Sequence, residues 1–245
     1  GPQGTLYGSG AMGGVVRLFT VSPFDGKGTD VQVGGKTHLG GRSVKAVTYL
    51  HPHSKVALSL AGTYEGQDGA FKNAYTGAKA DKSDAAGAKV RLAWRPKQNV
   101  RIDAMASYEY SDENACPYYF VDTLSNPAPE KEGLGEITQN RQSRYRRSLW
   151  NTSLGVEWIA PKFVLTQIAA YQHLNDRLFM DQDFIAKDIF SLTQKQRVGN
   201  FTEEISLRSS GRRFWEWTAG AFFRYQHTQT DCPVVFHGDG MRFLN

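Results

Sequence analysis

The chain has 245 residues, 40% of them hydrophobic, with 25 glycines, 11 tyrosines, 14 phenylalanines and 5 tryptophans, a composition that favours short strands and turns over helices. Mean hydropathy is -0.47 and no window approaches the ~20 apolar residues of a membrane-spanning helix. That excludes a helical membrane protein but not a β-barrel, whose strands show lipid only alternate residues. The net charge of +5 comes from Lys and Arg scattered through alternating segments, so nucleic acid is not expected as a partner.

The chain opens on GPQGTLYGSGAMGGVVRLFT. Gly8, Gly10 and Gly13 satisfy G-x-G-x-x-G, but a β-branched run from Val15 to Thr20 follows where a dinucleotide site needs a helix, and that reading is rejected. The stretch as a whole resembles the end of the plug domain of TonB-dependent outer-membrane receptors. The matching features are a Gly-Pro pair at Gly1 and Pro2, a Leu-Tyr-Gly step at Leu6, Tyr7 and Gly8, a Gly-Gly pair at Gly13 and Gly14, and a final strand ending in Thr20. FTEEISLRSS, residues 201–210, is similar to a barrel strand of the same family.

The resemblance implies a barrel of ~22 strands with a plugged lumen. Residues 1–26 then form the C-terminal end of the plug and 27–245 the N-terminal portion of the barrel. No initiator Met, signal peptide, TonB box or earlier plug strand precedes the motif, and no aromatic closing strand ends the chain. A fragment is therefore expected.

Strands are expected near 30–39, 43–51, 55–65, 86–95, 99–112, 145–159, 163–178, 196–210 and 213–229, giving an all-β, antiparallel transmembrane barrel that is incomplete. The alternation is strict in places: Trp150, Thr152, Leu154, Val156 and Trp158 interleave with Asn151, Ser153, Gly155 and Glu157. Ile102, Trp217, Ala219 and Ala221 belong to the same apolar parity. A soluble β-sandwich would alternate too, with the apolar side turned inward.

The connections separate the two architectures. Tight turns at Pro52-His53-Ser54, Pro96-Lys97-Gln98, Ala160-Pro161-Lys162 and Ser210-Gly211-Arg212 take turns with long loops at 66–85, 113–144 and 179–195. Short turns on one rim and long loops on the other is the layout of outer-membrane barrels. The first link, Gly40-Gly41-Arg42, is short although it falls on the long-loop rim.

No catalytic, cofactor-binding or metal-binding group has diagnostic spacing, and neither an enzyme nor a cofactor is expected. His51-Pro-His53 reads as a solvated turn, and Asp181-Gln-Asp183 lacks the Gly and terminal Glu of a calcium loop. Tyr118, Tyr119 and Phe120 are the candidate ligand-contacting side chains, with loop packing as the plainer role. Arg101, Glu109, Glu157, Glu204 and Arg224 fall on the lumen parity.

Cys116 and Cys232 both fall on the long-loop rim, four strands apart. A disulfide between them is open but not favoured, because it requires Cα atoms within ~7 Å.

The family resemblance implies an energised importer in the Gram-negative outer membrane. Its partners would be TonB (through a segment preceding the plug), outer-membrane lipids and lipopolysaccharide. Its cargo would be a small-molecule or oligosaccharide ligand: a ferric siderophore or other iron complex first, a glycan or vitamin second. A passive porin or adhesin barrel is the alternative, and a secreted soluble β-protein a weaker one.

Overall fold

The computed structural model describes residues 20–120, 135–210 and 215–242. Of the plug-like motif only Thr20 is among them; Gly1, Pro2, Leu6, Tyr7, Gly8, Gly13 and Gly14 lie outside the described residues.

The described residues form one sheet. Its strands are β1 (Thr29–Lys36), β2 (Gly41–His53), β3 (Val56–Gln67), β4 (Ser83–Lys97), β5 (Val100–Asn114), β6 (Arg144–Ile159), β7 (Phe163–Asp181), β8 (Phe190–Ser209), β9 (Thr218–Asp231) and β10 (Val234–Phe236). Each of the first eight pairs antiparallel with the next, and β1 and β9 are not paired with each other. β10 sits on the start of β8 in the register β9 already has, with Leu192 opposite Val234 and Lys195 opposite Asp231. β9 and β10 are thus one long strand interrupted at Cys232-Pro233, where proline has no N–H to give the ladder. The Pro233 carbonyl still accepts from the Thr193 N–H at 3.0 Å.

The sheet has two faces of opposite chemistry. Leu154 lies opposite Ala104 on β5 and Ala169 on β7, and the same row continues through Leu92 and Leu58. These side chains point outward and are not covered by another layer: Leu154 is 49% exposed and Trp150 51%. A sandwich would bury such a row beneath a second sheet, and the described residues contain none.

Trp94, Trp158 and Trp217 mark the band near the short-turn rim. Tyr64, Trp150, Tyr171 and Tyr225 mark it on the other side, where Tyr108 and Trp150 rings lie 4.5 Å apart. Aromatic girdles of this kind bound the apolar band of outer-membrane barrels.

One pair breaks the band. The outward row reaches Glu203 beside Ala169, and the Gln167 amide, also outward, donates to the Glu203 carboxylate at 2.7 Å. The two satisfy each other, and nothing in the structure explains their presence there.

All nine expected strands form, with shifted ends. The loop expected at 179–195 shrinks to 182–189, because the β7–β8 ladder continues to Asp181 opposite Ser191. In this extension the apolar Met180 and Leu192 fall on the inward parity and the polar Asp181 and Ser191 on the outward one, so the alternation that marks a span is lost while the backbone pairing is not. The ninth strand starts at Thr218 instead of residue 213, and residues 211–214, which include most of the expected Ser210-Gly211-Arg212 turn, lie outside the described residues.

The first link is residues 37–40, closed by Gly40 at φ 60°, so Gly41 and Arg42 belong to β2 and not to the turn. Two tight turns share a device: the pairing slips by one residue between Leu50 and His53 and between Trp94 and Lys97. Pro52 and Pro96 sit in those gaps, where a missing N–H costs nothing. His53, read above as part of a solvated turn, accepts the Lys55 N–H on Nδ1 at 3.1 Å and so shapes the turn.

The facing assignment has a mutational consequence. In the full-length protein in a bilayer, Leu154→Arg should cost ~2–4 kcal/mol and Ser153→Arg, one residue away on the other face, less than ~1 kcal/mol. Folding titrations into lipid vesicles measure both; equal penalties would contradict the two-faced wall.

Candidate functional site

The concave face carries the second parity. Lys45, Glu65, Arg91, Asp103, Arg101 and Glu157 line it and pair across neighbouring strands: Lys45–Glu65 at 2.7 Å, Arg91–Asp103 at 2.7 Å and Arg101–Glu157 at 2.9 Å. Arg101 and Glu157 are direct register partners, and so are Asn151 and Gln172, whose amides bond at 2.8 Å. Exposed pairs like these contribute little stability, but they make this wall polar while the other is apolar. Arg224 faces the same way and bonds Asn200 at 2.9 Å and also Gln226; Glu109 and Glu204 share the face by register. All five residues of the lumen parity therefore lie on the concave side.

The segment between Thr20 and β1 runs along that concave wall, near the short-turn rim. The Arg91 guanidinium forks: one edge grips Asp103, and Nη1 donates to Thr20 Oγ1 at 2.9 Å and to the Val21 carbonyl at 3.4 Å. Five donors in a rigid plane let one arginine hold a wall carboxylate and a passing chain together. Four residues further along β4, the Arg95 guanidinium covers the Phe24 ring at 3.9 Å. The Ser22 carbonyl accepts the N–H groups of Asp25 and Gly26, turning the chain around the buried Pro23. Gly26 then passes against the Tyr49 ring, where a Cβ would overlap the ring atoms. Sequence reasoning did not single out Arg91 or Arg95, because alternation places them on the lumen side but does not say which of its cations meets the entering chain.

At the other rim the long loops interlock. Asn73 is buried; its amide donates to the Gln139 carbonyl at 2.8 Å, and its neighbour Ala74 donates to the Ile137 carbonyl. The buried Gln139 amide donates to the carbonyls of Cys116 and Tyr118, and the Arg141 guanidinium grips Asp188 at 2.8 Å. Asp183 organises its own loop: Oδ1 accepts the Ile185 N–H, and Oδ2 those of Ile189 and Phe190. That is the role of the Asp181-Gln-Asp183 run weighed above as a calcium motif. Asn73, Gln139, Arg141 and Asp188 were not singled out in the sequence, since contacts between loops leave no period.

Tyr118 and Phe120 stand on this layer, 57% and 62% exposed, with Tyr119 beside them. The Tyr118 ring meets Phe184 edge-on at 5.5 Å, so the packing role and an exposed aromatic face coexist. Cys116 and Phe184 have φ of 53° and 56°, a left-handed conformation that a non-glycine side chain adopts at a cost. Cys116 and Cys232, the pair left open above, are unbridged in the structure. Four inter-strand steps of ~4.8 Å separate their strands, well beyond bridging range. Burial pushes the Cys116 thiol up, away from the reactive thiolate.

Burial also pushes the Asp181 carboxyl up to about 6, and the carboxylate of Asp183 adds to the shift. Asp181 Oδ2 accepts the Arg141 N–H at 3.1 Å, while Oδ1 is buried without a partner. Asp188, hydrogen-bonded by Arg141, is held down at about 2. The two acids of one loop therefore titrate far apart.

No family model matches the chain. Solved structures do share its fold. The ferric yersiniabactin uptake receptor FyuA from Yersinia pestis superposes with a TM-score of 0.78 at 18% identity, covering 96% of this chain and 36% of the receptor. The siderophore receptor PiuA from Acinetobacter baumannii gives a TM-score of 0.60 at 11% identity, covering 82% and 30%. The chain thus spans about a third of the length of each of these receptors. At such identities the likeness is one of fold, and it agrees with the barrel expected from the alternation.

The raised Asp181 value fixes a pH dependence. Its folded pKa lies above the unfolded value of ~3.9, so its contribution to loop stability is complete below about pH 4 and is lost as pH rises through about 6. Amide exchange at 139–143 and 181–190, corrected for intrinsic rate, should quicken between about pH 5 and 7 in the full-length protein. In Asp181→Asn it should stay flat; a dependence surviving that change would assign it to another group.

Proposed function

We propose that this chain is the plug-to-barrel junction of an energised, TonB-dependent receptor of the Gram-negative outer membrane, with residues 1–26 ending the plug and 27–245 opening the barrel. The observation that carries the reading is the path of residues 20–26 along the concave wall under Arg91, Arg95 and Tyr49. A plug must enter the lumen and be held there, whereas a passive porin or adhesin barrel needs no such strap. The fold shared with two siderophore receptors supports the same reading.

In this scheme the ligand binds on the interlocked loops, where Tyr118, Tyr119 and Phe120 offer aromatic faces. Strands beyond β1 and β9 close the wall, and TonB acts on a segment preceding the plug. Force on the plug then opens a path lined by the polar concave face. The cargo favoured is a ferric siderophore or another iron complex, with a glycan or vitamin as the next choice. No catalytic step or resident cofactor is proposed.

The test uses the full-length receptor. Ferric-siderophore binding, followed by quenching of tryptophan fluorescence, should weaken by roughly tenfold or more in a Tyr118→Ala/Phe120→Ala double variant, the size of effect that exposed aromatic anchors usually give. Uptake of labelled iron should stop when the proton gradient of the inner membrane is collapsed. Uptake that continues in de-energised cells would overturn energised import in favour of a passive channel.

A further inference from the structure

The Gln167–Glu203 pair stands alone in the outward band. Val156, Gln167, Ile205 and Ala221 form one row across β6 to β9, and Leu154, Ala169, Glu203 and Phe223 form the next. Ala221 lies midway between Trp217 and Tyr225, which mark the two girdles at β9. Gln167 is therefore at the middle of the band, and Glu203 one outward position nearer the long-loop side. Among the described residues no other amide, acid or base falls between the girdles on this face.

One hydrogen bond does not satisfy these groups. The Gln167 amide has two N–H groups and gives one to Glu203 Oε1 at 2.7 Å. Its second N–H, its own oxygen and the other carboxylate oxygen of Glu203 have no partner among the described residues. Hydrocarbon holds no water to supply one, and a charged side chain on the lipid face of a barrel costs stability in a depth-dependent way. An ionisable group at such a depth marks a place that something polar meets.

The pair carries its own complement. A spare N–H on the amide and a spare oxygen on the carboxylate are what a second copy of the same pair requires. Across a two-fold axis, each Gln167 donates its second N–H to Glu203 of the other copy. That closes a ring of hydrogen bonds in which amides and carboxylates alternate, with the two carboxylates at opposite corners. The wall beside the pair is low, because Ala169, Ala219 and Ala221 are its neighbours, and small residues let two backbones come close inside a membrane. Ile205 and Phe223, both exposed, flank the pair and supply apolar contact.

We propose that the outward face of β7, β8 and β9 is a homodimer interface within the membrane, with Gln167 and Glu203 of two copies meeting at its axis. The inference rests on the outer-membrane barrel reading given above and is independent of the cargo and of energised import.

The experiment uses the full-length receptor, fluorescently labelled once per copy and diluted into liposomes over a range of lipid-to-protein ratios, with photobleaching steps counting the copies in each spot. The wild type should give two-step spots that fall to one step on dilution. Gln167→Leu/Glu203→Leu should weaken association by about tenfold, at roughly threefold for each of the two hydrogen bonds between copies. This double variant should insert at least as well as the wild type, since both replacements are apolar on a lipid-facing wall. Glu203→Gln should keep the dimer, because two amides rebuild the ring without the charge. Cross-linking places the interface: in a Cys116→Ser/Cys232→Ser background, a short bismaleimide should join two copies of Ala169→Cys in isolated outer membranes. Leu92→Cys, three strands away on the same face, should not be joined.

One-step bleaching at every dilution, equal association of the double variant, or equal joining at Leu92→Cys overturns the interface. Loss of the dimer in Glu203→Gln overturns it too, as does a cross-linked product whose mass is not twice that of the receptor, because each marks a cationic segment of another protein. Membrane fractionation of the wild type is a separate readout: its absence from the outer membrane would defeat the parent reading, whatever the copy number in liposomes.

Discussion

The structure depends on one constraint: a backbone that crosses hydrocarbon must bond every N–H and C=O to a neighbouring strand. The antiparallel ladder from β1 to β9 meets it, with fifteen consecutive pairs between β5 and β6 alone. Everything that cannot join the ladder is pushed to a rim. Pro52, Pro96 and Pro161 sit at the tight turns, and Pro233 at the break between β9 and β10 on the opposite rim. Once the ladder is fixed, each side chain's face follows from its parity, and the division into an apolar outer wall and a polar inner wall needs no further cause.

The two walls manage charge differently. Inside, acids and bases alternate closely enough to pair across strands, as in Lys45–Glu65, Arg91–Asp103 and Arg101–Glu157, so the wall is charged yet locally balanced. Outside, the band holds almost nothing polar until the Tyr and Trp girdle, and the charges that appear above it are dominated by arginine. A balanced wall suits a water-filled path that must not hold a charged solute too tightly. An unbalanced one suits a surface that meets a fixed layer of anions.

This division explains how much could be read from the sequence. The nine spans were legible because period two is forced wherever one face meets lipid and the other water. The turn parity was legible because proline and short polar runs mark one rim. Strand ends were not: past the girdles the apolar Met180 and Leu192 fall on the inward parity and the buried Asp181 and Ser191 on the outward one, so the span's alternation stops although these residues remain paired. The loop latches were hidden for a related reason. Asn73 finds Gln139 across 66 residues, and Asp183 gathers three backbone N–H groups, through contacts that no local pattern encodes. Of the candidate ligand residues, sequence located the aromatic tip at Tyr118, Tyr119 and Phe120 but not the support beneath it, where Phe184 and Gln139 hold Tyr118 in place.

The strap at Thr20 also has a mechanical logic in the proposed receptor. Among the described residues its hold consists of one charged hydrogen bond from Arg91 to Thr20, a longer one to Val21, the Arg95–Phe24 contact and the packing of Gly26 on Tyr49. Hydrogen bonds from a charged donor contribute about 1.5–3 kcal/mol and an exposed cation–π contact about 0.5–1, so the strap is held by only a few kcal/mol. Pulling it away leaves Arg91 still bound to Asp103 by three contacts, and so leaves no unpaired charge on the wall. Opposing the pull, β2 is paired along most of its length with β1 on one side and β3 on the other, and those ladders yield only if many bonds break together. In the proposed receptor, a force on the segment preceding β1 therefore meets weaker resistance at residues 20–26 than in the β1–β2–β3 ladders, so this segment would yield before the wall loses its register.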